Sequence, residues 1–188
     1  MWQLILQFFG LSSFQTGQVQ SLPNSQSLSI VNSMSEKSTK ISNEIHDEFQ
    51  KELNNRGIIH FSSDECLYLG ASNRRHKNNH IPAKNLWPNF WPTIEIADEV
   101  RGRIAKSLRI SSAYRSPEYN KSVGGARNSQ HVQFRAIDIS APKSTLKSLY
   151  KELLAMRKEG HKIAIGRYPT FIHIDTRGTN TSWGSATY

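Results

Sequence analysis

Apolar residues recur along this chain at two periods. Between residues 44 and 57, Ile45, Phe49 and Leu53 fall four apart and Gly57 follows, which predicts a short helix ended by glycine. Residues 143–160 give the clearest helix. Leu146, Leu149, Tyr150, Leu153 and Leu154 form its apolar stripe, with Ser144 placed to cap the start and Gly160 the end. A third helix is predicted from Thr93, read as its cap, with Ile94, Ala97, Ile104 and Leu108 on one face. Ser116-Pro117 opens a shorter one, a capping hydroxyl followed by proline at the first helical position, and Gly124-Gly125 closes it. Ser62-Ser63-Asp64-Glu65 offers capping chemistry for one more.

The second period is two. Residues 109–115, 135–139, 162–168 and 170–176 read as strands. In the second of these, Ala136 and Asp138 point one way while Ile137 and Ile139 point the other; in the last, Ile172 and Ile174 oppose Phe171, His173 and Asp175. A few helices with a small sheet make an α+β pattern. Residues 72–92 hold many Asn and basic residues and three prolines, and read as a loop. No internal repeat interrupts this order.

Residues 12–43 lack the pattern. They are rich in Ser, Gln, Asn and Thr, cannot bury enough surface to offset their ordering entropy, and read as a linker. The expected organisation is thus a disordered stretch over 1–43 and one folded domain over 44–188. Leu4 to Leu11 is an apolar run too short to span a membrane. It has neither the positive start of a secretory signal nor a clean cleavage site. It reads as a poorly ordered tail or a short helix docked on a partner, with a signal peptide as the alternative.

Composition adds three constraints. Apolar residues make up 37% of 188, enough for one core. Lys and Arg total 24 against 15 acidic residues, a net charge of +9; this suits an anionic partner such as nucleic acid, acidic lipid or cell-wall polymer. Cys66 is the single cysteine, so no internal disulfide and no cysteine-based zinc knuckle can form. The compartment stays open, and a monomer is expected.

Of the seven histidines, His46, His60, His76, His80 and His161 sit in polar or turn-forming surroundings and read as surface residues. His173 differs, because a strand with a buried back presents it together with Asp175. Zinc takes His nitrogen and carboxylate oxygen, and catalytic sites use three protein ligands and one open position. His131, Asp138 and His173 would make such a set. The competing reading is a histidine satisfied by backbone and an aspartate closing a turn.

"SAYRSPEYNKSVGGARNSQHVQFRAIDI" together with "GRYPTFIHIDTRG" resembles the M15 peptidases. These are zinc D-alanyl-D-alanine carboxypeptidases and related peptidoglycan endopeptidases, including phage endolysins, with the fold of the hedgehog signalling domain. The similarity runs over about residues 58–183. It rests on Tyr-Arg-Ser-Pro, Gly-Gly-Ala, Ser-x-His, Ala-x-Asp-Ile and His-Ile-Asp in the family's order. It implies a hedgehog/DD-peptidase-like domain with a small antiparallel sheet flanked by helices. It implies that His131, Asp138 and His173 bind one zinc ion and that Arg115 faces the cleft.

The resemblance also implies action on peptidoglycan peptides, in wall remodelling or phage-type lysis. Arg115 could then grip a substrate carboxylate or support charge on the carbonyl oxygen; its plainer role is an ion pair with Glu118. Tyr168 and Trp183 could wall the cleft or close the core.

Two positions depart from the family. Phe134 stands where a glycine is usual, so a repacked turn is expected. Phe171 and Thr170 occupy the positions of the usual base. Asp175 is the best substitute, either as base or as a carboxylate orienting a ligand histidine. The competing classes are a metal-binding module without turnover and a basic nucleic-acid-binding protein. The latter has no motif in its favour, and no nucleic acid is expected.

Overall fold

The computed structural model describes residues 24–71, 73 and 78–188; His76 and the Leu4–Leu11 run lie outside them. Among the described residues five α-helices are delimited, α1 (Asn24–Asn55), α2 (Ser63–Cys66), α3 (Trp87–Ile104), α4 (Pro117–Ser122) and α5 (Lys143–Lys158). Five strands accompany them, β1 (Arg109–Ser112), β2 (Ala136–Ser140), β3 (Ala164–Arg167), β4 (Phe171–Asp175) and β5 (Ser182–Trp183). The architecture is α+β. No described helix is long and apolar enough to cross a membrane.

By internal packing the chain divides into residues 1–41 and 42–188. Residues 24–43, read from composition as linker, are helical as the first part of α1. Once a helix is nucleated, each added residue gains a backbone hydrogen bond, so this stretch needs no apolar face. Residues 31–41 are indeed exposed. The face read from the sequence does pack further on, where Phe49 and Leu53 are fully buried.

The sheet order is β1-β2-β4-β3-β5. The first four strands are antiparallel neighbours, and β5 adds in parallel to β3, so the sheet is mixed rather than wholly antiparallel. Its register gives each face one character. Ile137, Ile139, Ile165, Ile172 and Ile174 line the buried face, which α3 and α5 cover. Asp138 lies opposite His173, and His173 opposite Gly166, on the other.

Helix α3 begins at Trp87, six residues before the expected Thr93. Pro88 sits in its first turn, where the missing N–H has no partner to lose, and Pro92 is exposed. Thr93 is no cap. It is buried, and its hydroxyl meets the Arg135 carbonyl at 2.9 Å and the Thr176 hydroxyl at 2.8 Å. Leu108 is buried beyond the helix, which ends at Ala105 in a left-handed turn. Ser144 is likewise inside α5, and Pro142 stands at the cap without a side-chain hydrogen bond.

Phe134 has φ of 50°, the left-handed conformation that glycine adopts freely. The turn therefore keeps a glycine-like backbone. The ring, with no exposed area, stacks on Phe90 at 4.2 Å and 9°. Burial and stacking of a phenylalanine, about 2–4 kcal/mol, outweigh the roughly 1–2 kcal/mol that a left-handed residue costs.

Candidate metal centre and cleft

Three elements converge at one place. His131 follows α4 in a run of turns, Asp138 is central in β2, and His173 is its cross-strand partner in β4. All three are buried. His131 Nε2 lies 3.1 Å from Asp138 Oδ1 and 3.1 Å from His173 Nδ1; His173 Nδ1 lies 2.9 Å from Asp138 Oδ1.

The outer contacts of the two rings fix what faces inward. His131 Nδ1 is 2.6 Å from the Ala113 carbonyl, which can only accept, so Nδ1 carries a proton. His173 Nε2 is 3.0 Å from an Asp175 carboxylate oxygen and donates to it. In the neutral rings both inward nitrogens then present lone pairs, and so does Asp138 Oδ1. Three acceptors facing one another about 3 Å apart call for a cation between them. Ligands around a tetrahedral ion at about 2.0–2.1 Å stand about 3.3 Å apart; the triangle is close to that, and the two-histidine, one-carboxylate donor set fits zinc.

Electrostatics separate the two rings. Burial holds the His131 imidazole below its ordinary pKa, against the pull of Asp138. Burial also opposes charge on His173, but hydrogen bonds to Asp138 and Asp175 raise it overall, so a cation bound here takes the place of a proton on His173 Nδ1. Asp138 stays ionised despite burial, because His131 and His173 hold its carboxyl well below the usual range.

Arg115 does not pair with Glu118. Its Nη2 donates to Asp138 Oδ2 and its Nε to the Ser112 hydroxyl at 2.8 Å, leaving Asp138 one oxygen for the triangle. Asp175 is fully buried and accepts four times: Oδ1 from the Arg177 backbone N–H and Nε, Oδ2 from His173 Nε2 and Arg177 Nη2. Burial opposes its charge, yet Arg177 and His173 lower its pKa to about 2. It sits behind the His173 ring, away from Asp138.

The triangle opens into a cleft of about 440 Å³, with Gly124 and Gly125 on one side and Tyr168, Phe171 and Trp183 on another. Tyr168 and Phe171 stack at 4.4 Å, and Trp183 donates to the Tyr168 hydroxyl at 3.1 Å. Trp183 lies flat on Gly166, where a Cβ would come within 2.6 Å of its ring. Thr170 lines a separate hollow.

Asp138 is the only carboxylate lining the cleft among the described residues; Glu118 and His161 do not reach it. His46 and His60 pair with Asp64 and Asp98, and His80 bonds the Ile81 carbonyl. Glu99, Glu159 and His161 also cluster, but Arg103 engages both carboxylates at the surface. Sequence reading missed Arg177 and the role of Gly166. A glycine inside an apolar strand is a signal of close approach; Arg177 offered none.

A family model described as Peptidase M15 matches residues 69–175. A search among curated proteins returned no match.

Proposed function

Because this chain belongs to the M15 peptidase family, whose match covers more than half of it, we propose that it is a zinc-dependent peptidase cutting peptide bonds in peptidoglycan stem peptides. The observation that carries the reading is the triangle of inward lone pairs from His131, Asp138 and His173.

The chemistry zinc supplies when bound is Lewis-acid activation of water and of a carbonyl. The chain's own residues do the rest. The Ala113 carbonyl and Asp175 hold the two imidazoles in the tautomers that ligation needs. Arg115 occupies Asp138 Oδ2 and so leaves one carboxylate oxygen for the ion, and its Nη1 is left to support charge on a substrate oxygen. Asp175, with every acceptor site occupied, serves as orienter rather than base. Tyr168, Phe171 and Trp183 wall the cleft against water. The net charge of +9 suits an anionic wall.

The absence of a second carboxylate from the described cleft lining favours one other reading, a metal-binding module with weak or no turnover. Mass spectrometry of muropeptides after incubation with the zinc-loaded chain separates the two. Shortened stem peptides, lost on adding a chelator, are expected; intact peptides at full zinc occupancy would leave the module.

A further inference from the structure

Among the described residues the cleft holds two guanidiniums, Arg115 and Arg177, against one carboxylate that is already shared with the histidines. Arg115 belongs to the metal centre through Asp138. Arg177 belongs to it only at one remove, through Asp175, and lies beyond the residues the family model matches.

Its geometry is specific. The Nε and Nη2 groups of Arg177 grip Asp175 side-on at 2.7 and 2.6 Å. Nη1 makes no hydrogen bond among the described residues. An arginine gripped along that edge keeps a second fork, formed by Nη1 and the remaining Nη2 proton. The guanidinium is also held in place, because it lies 5.2 Å over the Trp183 ring, which itself rests on Gly166. A donor fork fixed before the ligand arrives loses little entropy on binding. Its distance from the centre is short. Only the Asp175 carboxylate stands between Arg177 and the His173 ring, with contacts of 2.6 and 3.0 Å. A group on this fork is therefore within the reach of one or two extended residues, at about 3.3–3.6 Å each.

We infer that Arg177 is a specificity residue whose open fork takes a substrate carboxylate close to the scissile bond. The inference rests on the peptidase reading. The carboxylate has two sources, the free C-terminus of a peptide or an acidic residue within one. Neutral peptides of the same length are poorer ligands.

Three N-acetylated peptides test this, identical except after the scissile bond: one ends in alanine with a free carboxylate, one in alanine amide, one in glutamate with its terminus amidated. Binding to the metal-free full chain is measured by calorimetry, and kcat/KM with the zinc-loaded full chain. One carboxylate peptide is expected to exceed the neutral amide by about 10–100-fold, and which one does so identifies the source. In Arg177→Gln the ratio should fall to near one; Arg177→Lys should keep part of it, having charge without the fork. Each ratio is taken within one variant, so any loss of fold or metal cancels. Equal binding of all three peptides by the wild type, no binding of either carboxylate peptide, or a full ratio in Arg177→Gln would overturn the inference. A binding preference without cleavage of any peptide would instead overturn the peptidase reading and leave Arg177 assigned.

Discussion

Asp175 accepts a hydrogen bond from His173 Nε2 at 3.0 Å, on the side of the ring that faces away from Asp138. The carboxylate therefore acts on the imidazole and not on the cleft. Asp175→Asn should weaken zinc affinity by roughly 10–100-fold, with turnover recovering as zinc is added. A general base would behave otherwise, losing about 10²–10⁴-fold in kcat at saturating zinc. Titration of activity against free zinc distinguishes the two curves.

The lone-pair triangle predicts a chain that folds more firmly with metal. At a thousandfold excess over Kd a ligand adds about 4 kcal/mol, which for a chain of this size raises Tm by roughly 8–16 °C. His131→Ala should bind almost no zinc by elemental analysis and show no such rise. Undiminished zinc content in that variant would remove His131 from the centre.

Phe134 makes a stability prediction whose sign is not obvious. Phe134→Gly relaxes the left-handed residue, a gain of about 1–2 kcal/mol. It also empties the stack against Phe90, where truncation of a buried phenylalanine costs about 3–5 kcal/mol. The net should be a loss of about 1–4 kcal/mol, seen as a lower denaturation midpoint, with zinc content retained. A more stable variant would mean that strain, not packing, dominates at this turn.

Cys66 is fully buried, and burial raises its thiol well above the ordinary value, with the charges of Glu65 and Asp98 adding to the effect. A chromogenic disulfide reagent at pH 8 should leave the native chain unlabelled and react once it is unfolded. Rapid labelling of the native protein would show that α2 opens readily.

The sequence made the sheet legible because period two shows directly. Ile137, Ile139, Ile172 and Ile174 mark one face; Asp138 and His173 mark the other. It also made α5 legible through its stripe of leucines. The start of α3 was hidden because Pro88 and Pro92 read as breakers, although a first-turn proline loses nothing and the second faces solvent. Composition hid the helical state of residues 24–43, since it reports burial and residues 31–41 are exposed. Arg177 was illegible for a different reason. Its partner, Asp175, was visible two residues away, but the cleft that gives its remaining fork a use is assembled from segments far apart in sequence.

The pairing of Asp138 with His173 across β2 and β4 has a bearing on misfolding. A slip of one residue between two strands turns every side chain to the opposite face. Such a slip would bury Asp138 among isoleucines and set Ile137 or Ile139 toward the cleft. A mispaired chain would then have no acceptor triangle to offer. An ion captured there would select for chains with the correct hydrogen-bond ladder, and the centre would then act as a proofreader of its own scaffold.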